Sequence, residues 1–301
     1  MCDNRMKRAV ALGYFDGLHI AHMRVLEAAL AQKENGLQPA VLLFDRSPAE
    51  VLTGKTVPHL LTEADRDAIL GGMGLELIKL SFEEIKDLTP AVFFETVLLQ
   101  DLNCGFVSCG YNYTFGRGGA GTRETLASLC RAHGAGIAVC ERVSVGGTPV
   151  SSSAVRNALA AGRPERAAAM LGRPFSFSAP VVSGEKRGRT LGAPTVNQYL
   201  PQGLILPKYG VYACVVEIGE KRYAGAANIG ARPTFGCSAV RSETYILGFS
   251  GDLYGQNVRI GLLSFLRPER RFPSAEALKA QIALDAAAAG AAAQASPFFC
   301  K

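Results

Sequence analysis

Tryptophan is absent from the 301 residues, and histidine occurs only four times. The eight cysteines, at 2, 104, 109, 130, 140, 214, 237 and 300, include no C-x-x-C pair. A chain this long buries enough surface to need no disulfide staples, so they read as reduced structural thiols. Cys104, Cys109, Cys130 and His133 make a four-ligand zinc set only at poor spacings. Cys109 and Cys140 lie in apolar runs, where cysteine serves as a small core residue. No run reaches the roughly 20 apolar residues of a membrane span. The opening MCDNRMKRAVALGYFDG starts basic, but Asp16 breaks its apolar run, which argues against a cleaved signal and for the cytoplasm. No G-x-x-x-x-G-K-[ST] occurs, so a P-loop enzyme is excluded. With 48% hydrophobic and 19% charged residues, the chain is neither disordered nor collagenous.

The charge is unevenly placed. Residues 1–175 hold 18 Lys and Arg against 18 Asp and Glu, whereas residues 176–301 hold 14 against 8. All of the net +6 therefore falls on the C-terminal part, which suggests an anionic ligand there.

Two textures divide the chain. Strand-like runs at 8–13, 39–44, 78–80, 105–110 and 136–140 alternate with helical periodicity over about 22–34, 62–72, 90–99, 123–133 and 152–171. Such alternation predicts βαβ units, hence a Rossmann-like parallel sheet with ligands at the carboxyl ends of its strands. Past about 175, short β-branched and aromatic runs between Gly and Pro turns predict a small antiparallel Greek-key barrel. A terminal helix is expected over about 274–288. The expected organisation is domain 1–173, domain 174–290 with the helix, and a frayed low-complexity tail at 291–301.

The first strand runs into GYFDGLHIAH, residues 13–22. His19 and His22 stand three apart where a helix should begin, so both imidazoles share a face beside free N–H groups and the positive end of the helix dipole. Oxygens of a polyphosphate would meet donors there. In the C-terminal half, SGEKRGRTLGAPTVN (183–197) pairs a Gly-rich basic loop with Thr195 and Asn197, oxygen ligands suited to a hard cation such as Mg²⁺. Glu243 is the only carboxylate between Glu220 and Asp252.

The segment at 13–22 resembles the nucleotidyltransferase signature G-x-F-D-G-x-H-x-G-H. After it, in chain order, come FDRSPAEVL (44–52), GYNYTFGRGGAG (110–121), SSSAVR (151–156) and TLGAPTVN (190–197). NIGARPTFG (228–236), GDLYG (251–255) and LRPERRF (266–272) complete the set. Together they resemble the prokaryotic bifunctional riboflavin kinase/FMN adenylyltransferase, or FAD synthetase, family over almost the whole chain. The resemblance implies two ATP- and Mg²⁺-dependent reactions, riboflavin to FMN and FMN to FAD. For adenylyl transfer it implies His19 and His22 at the α-phosphate and Ser151, Ser152 and Arg156 on the phosphates. It also places Gly13, Phe15 and Asp16 around the nucleotide, and Asn112 and Phe115 on the flavin and nucleotide side. For the kinase it implies Glu243 as base, Thr195 and Asn197 on the metal, and Gly184, Lys186, Gly188 and Arg189 over the phosphates, with Arg267 near the flavin. Partners would be flavins and ATP, without nucleic acid or membrane, in a monomer or weak homo-oligomer.

Three departures stand out. Ala21 replaces the glycine before the second histidine, Ser47 the histidine of F-x-P-H-P, and Tyr245 the histidine of E-x-H. Ala21 and Ser47 motivate a second reading, a riboflavin kinase with a degenerate adenylyltransferase domain. A flavin- or RNA-binding regulator is the non-enzymatic alternative suggested by the basic barrel.

Overall fold

The computed structural model describes residues 6–183, 195–234 and 237–299. Contacts group residues 1–57 and 63–151 into one compact unit and residues 58–62 and 152–301 into another. Among the described residues no helix is long and apolar enough to cross a membrane.

The first unit is a five-stranded parallel sheet of β1 (Arg8–Leu12), β2 (Gln38–Phe44), β3 (Glu76–Leu80), β4 (Cys104–Gly110) and β5 (Gly136–Cys140), in the order β3-β2-β1-β4-β5. Helices link the strands: α1 (Ile20–Leu30), α2 (Pro48–Thr53), α3 (Glu63–Gly72), α4 (Phe82–Ile85), α5 (Pro90–Val92) and α6 (Arg123–Ala132). Parallel strands need such crossovers, and helices on both faces explain why the strands are apolar on both sides. Val10 and Leu12 of β1 face the cluster of Phe93, Phe94, Leu98 and Leu126. On the other face α1 is tied to the sheet by Ser108 Oγ, which donates to the Val25 carbonyl at 2.8 Å. The expected α-helix over 90–99 is α only at α5 and continues as a π-helix, Phe93–Asp101. A two-residue-strand hairpin, β6 (Ser144–Val145) and β7 (Thr148–Pro149), follows β5.

This strand order has its switch point between β1 and β4, the two strands from which the chain departs in opposite directions. A doubly wound sheet opens its ligand crevice there, beyond the carboxyl ends. Residues 13–22 follow β1 and residues 111–121 follow β4, so the two motifs flank that crevice.

The second unit begins with α7 (Ser152–Ala160) and α8 (Pro164–Leu171), where one continuous helix over 152–171 was expected. Gly162 takes φ +70 and Pro164 lacks a backbone N–H, so the helix stops and restarts. The change of texture near 173 follows local periodicity, whereas packing places α8 against the strands that come after it. These are β8 (Phe175–Pro180), β9 (Thr195–Tyr199), β10 (Gly210–Ile218), β11 (Lys221–Thr234), β12 (Cys237–Ile246) and β13 (Asn257–Arg267), all antiparallel. Their order, β8-β13-β10-β11-β12-β9, contains a Greek key: three hairpin-linked strands with the fourth returning beside the first. Just past β8, Val182 bridges Asn197 of β9, joining the two edges of the sheet.

Alternation assigns the two faces of this curved sheet. Phe177, Tyr212, Cys214, Ile229, Ile260 and Leu262 are buried on the inner side. Gln198 is buried with them because its amide nitrogen donates to the carbonyls of Ala179 and Val258, and Ser242 is buried with its hydroxyl on Thr244. The outer side carries the terminal helix α9 (Ala275–Ala295), whose Ala289 and Ala293 pack on Ala213, Val215, Ala226 and Leu263. The alanine-rich segment expected as a frayed end is thus helical to Ala295. Its small side chains let the helix lie close on the sheet, and that burial outweighs the low complexity of the sequence.

Candidate functional site

Beyond β1, the chain turns through Gly13–His19 with three residues at positive φ: Phe15 (+56), Gly17 (+81) and Leu18 (+45). Each left-handed non-glycine costs about 1–3 kcal/mol. Full burial of the Phe15 and Leu18 side chains holds the strained turn in place. Gly13 is pressed against the same packing, since a Cβ there would lie 3.1 Å from the Phe15 ring. Asp16 is also buried.

This turn delivers His19 as the N-cap of α1. Its Nδ1 accepts from the His22 backbone N–H at 3.1 Å, so in the neutral ring Nε2 carries the proton. The rings of His19 and His22 stack at 3.6 Å, and Phe15 closes the far side of His22 edge-on at 5.2 Å. Burial, and secondarily the charge on His19, hold the His22 imidazole well below its ordinary pKa. The first turn of α1 has no acidic side chain. A neutral His22 ring stacked on the N-cap imidazole thus stands at a helix N-terminus.

The His22 shift has a measurable consequence. A folded-state pKa below the unfolded value of about 6.5 gives stability that is complete above pH 6.5 and lost as pH falls below it. The loss is at most about 1.4 kcal/mol per pH unit for one proton. Melting temperature is expected to drop between pH 7.5 and 5.5, and to drop less in His22→Asn.

Ser47, where the resemblance expects a histidine, is buried at the start of α2 and is hydrogen-bonded by Tyr14 from the β1 turn. Sequence reading gave Tyr14 no part; its contact shows what occupies the side of the turn towards β2. Asn112 is exposed on the loop after β4. Phe115, read as an aromatic beside the flavin, is instead 6% exposed, stacked with Tyr113 and packed near Phe93. Its ring props the loop, which Phe115 and Gly121 close by paired backbone bonds of 3.0 and 2.9 Å. Gly116 fits there because it takes φ +72 with Pro90 against it, where a Cβ would lie 2.8 Å from the Pro90 nitrogen. Ser151 is an exposed residue at the end of the first unit. Ser152 opens α7 in the second, where Arg156 Nε donates to the Pro58 carbonyl at 2.7 Å.

In the second unit, strand register assembles a polar group on the outer face of the sheet. Glu243 of β12 lies opposite Asn197 of β9 on one side and Asn228 of β11 on the other. Directly paired residues project to the same face, so three segments far apart in sequence meet there. Thr195, two residues before Asn197, shares that face. Arg241 makes an ion pair with Glu243, and Asn228 donates to Glu269 at 3.1 Å. The amide nitrogen of Asn197 reaches the Thr195 carbonyl at 3.5 Å, which leaves its oxygen as an acceptor. No group of three His, Cys, Asp or Glu that could hold a metal occurs among the described residues. Two neutral oxygens fit Mg²⁺, which characteristically takes few protein ligands and completes its shell with phosphates and water.

A cavity of about 260 Å³ adjoins Thr195, lined also by Val196, Ile246, Phe249, Asp252 and Tyr254. The segment GDLYG was legible as a motif, but not as one wall of a cavity whose other wall is β9. Gly184, Lys186, Gly188 and Arg189 lie outside the described residues. Arg267, expected near the flavin, is held bidentately by Asp285 of α9, at 3.0 Å from Nε and 2.7 Å from Nη2. Asp285 also accepts from Gln281 at 2.7 Å, so the pair anchors the terminal helix to β13.

Residues 2–154 match the FAD synthetase family and residues 171–293 the riboflavin kinase family. Among curated relatives, the bifunctional riboflavin kinase/FMN adenylyltransferase of Pseudomonas fluorescens is 36% identical over 285 residues, spanning 93% of this chain and 91% of its own. That of Listeria monocytogenes is 32% identical over 93% of this chain and 90% of its own. The Escherichia coli protein is 34% identical over 92% and 90%. A crystal structure from Streptococcus pneumoniae, described as a macrolide-efflux protein, is 31% identical with a TM-score of 0.85, covering 94% of this chain and 93% of its own. That description has no counterpart in the family matches, whereas the two matched families together account for both units. The chain belongs to the bifunctional riboflavin kinase/FMN adenylyltransferase family.

Proposed function

We propose that this chain makes FMN in its C-terminal barrel and FAD in its N-terminal α/β unit. The observation that carries the kinase half is the in-register group Asn197–Glu243–Asn228 beside the cavity at Thr195. Glu243 accepts the proton of the riboflavin 5′-hydroxyl as that oxygen bonds to the γ-phosphorus of ATP and the bond to the β,γ-bridging oxygen breaks, releasing ADP. The cavity lined by Val196, Phe249 and Tyr254 suits the flat adenine ring. Thr195 and Asn197 would hold Mg²⁺, which when bound offsets charge on the phosphates. Gly184, Lys186, Gly188 and Arg189 supply the covering loop by resemblance.

For the second reaction, an oxygen of the FMN phosphate attacks the α-phosphorus of ATP and pyrophosphate leaves. No proton need be abstracted from a phosphate already ionised. The work is alignment and charge stabilisation, for which the His19 Nε2–H and the N-terminus of α1 are placed beyond β1, at the switch point. Gly13, Phe15 and Asp16 shape the turn and Asn112 lies on the loop after β4; the phosphate role of Ser151, Ser152 and Arg156 rests on the resemblance alone.

Ala21 and the Tyr14–Ser47 contact favour one second reading, a kinase whose adenylyltransferase is silent. Chromatography of products from riboflavin, ATP and Mg²⁺ decides. FMN and FAD together are expected; FMN alone selects the second reading, and neither product sinks both.

A further inference from the structure

Arg241 is a largely enclosed cation at a place where a surface strand would ordinarily carry a solvated side chain. It stands two residues from Glu243 on β12, so both side chains project from one face. Its Nη2 contacts Oε1 of Glu243, the guanidinium side chain is 12% exposed, and its buried Nε finds no acceptor among the described residues. Across the strands, Arg241 faces Gly230 on β11 and Tyr199 on β9. Gly230 has no side chain, and the Glu269 carboxylate fills the space a Cβ would take. Glu269 is in turn fixed by Asn228, whose own Oδ1 is buried with no donor among the described residues. The group thus has a positive charge between two carboxylates, and two polar atoms left for something to meet.

A guanidinium presents five N–H donors in a plane, and one carboxylate contact uses only part of them. Burial of such a group with an unused donor is costly unless a ligand completes it. We infer that Arg241 is a catalytic residue of riboflavin phosphorylation. It holds the Glu243 carboxylate in position and gives its remaining N–H groups to the γ-phosphoryl oxygens during transfer. This rests on the kinase reading with Glu243 as base. In that step the proton passes from the 5′-hydroxyl to Glu243 and the phosphoryl group from ATP to the same oxygen, with ADP leaving. Charge spreads over the equatorial oxygens of the moving phosphoryl group, and an arginine one carboxylate away from the accepting hydroxyl is placed to balance it. A lysine offers a point charge without the planar fork, so Arg241→Lys tests the geometry and Arg241→Gln tests the charge.

Steady-state kinetics of FMN formation by the full chain is the experiment. Arg241→Gln is expected to lower kcat about 10²–10³-fold while the KM for riboflavin and for ATP stays within about threefold. Arg241→Lys is expected to regain about tenfold of that loss, and added guanidinium ion to restore part of the activity of Arg241→Ala. Conversion of FMN to FAD, carried out in the other unit, is expected to be unchanged in all three. A kcat for Arg241→Gln within threefold of the parent overturns the assignment. So does a rise in kcat, which would mean that the ion pair only competes with substrate for Glu243. Should Arg241→Gln lose its cooperative thermal transition, Arg241→Lys decides: full kcat there overturns the inference. If the parent chain makes no FMN, the kinase reading itself fails; if it does and the variants match it, only the role of Arg241 fails.

Discussion

Glu243→Gln is expected to lower riboflavin phosphorylation by about 10²–10⁴-fold, the usual contribution of a positioned general base. Glutamine keeps the length of the side chain and can still accept a hydrogen bond, but it cannot take the proton of the 5′-hydroxyl. The loss should fall on kcat, because the cavity at Thr195 and the adjoining Asn197 are untouched. A second effect accompanies it. Arg241 loses its carboxylate partner while remaining largely enclosed, and removing one member of a buried pair costs about 3–5 kcal/mol, less here because Glu243 is one-quarter exposed. Initial rates of FMN formation, with the melting temperature of the same preparation, separate the two. A variant that melts lower yet phosphorylates at the parental rate would remove Glu243 from the chemistry and leave it as a strand-bracing charge.

The counterpart in the first unit is His19→Asn, expected to lower FAD formation from FMN and ATP by about 10²–10³-fold. Asparagine is a good N-cap, so the bond now received by His19 Nδ1 from the His22 N–H can be kept and α1 retains its start. What disappears is the Nε2–H donor at the positive end of the helix. The stacking contact with His22 also goes, exposing part of a ring that the pair now buries. FMN formation is expected to be unchanged, since Glu243, Asn197 and Thr195 belong to the other unit. Parental FAD formation in His19→Asn would show that the helix N-terminus does not need the imidazole, and would shift the weight to Ser151, Ser152 and Arg156.

Much of the architecture was legible because it is written in local patterns. Apolar runs of strand length alternating with helical periodicity announced the parallel sheet, and Gly- and Pro-punctuated β-branched runs announced the barrel. The errors are local patterns overruled. Phe115 was placed on the flavin and nucleotide side by resemblance alone, and its loop gave no sign that its ring packs with Phe93 and Tyr113. Residues 291–295 looked unstructured because alanine carries little information, yet they continue α9, and Ala293 is fully buried against the sheet. Arg267, placed near the flavin by resemblance, pairs with Asp285, eighteen residues along the chain. A side chain's partner is not encoded in its neighbours in sequence.

The net charge makes the same division. Composition located the +6 in residues 176–301, and within the described residues several of those cations are already engaged, Arg267 with Asp285 and Arg241 with Glu243. By itself the sequence determined the two fold classes, the order of the motifs and the histidine pair at a helix start, all set by spacings of a few residues. Only the tertiary structure decided that Asn197, Asn228, Arg241, Glu243 and Glu269 form one group. It also decided that Ser47 meets Tyr14 and that GDLYG walls a cavity with β9. The physical reason is register: antiparallel pairing brings together residues from distant segments, and a shift of one position would turn each of these side chains to the opposite face.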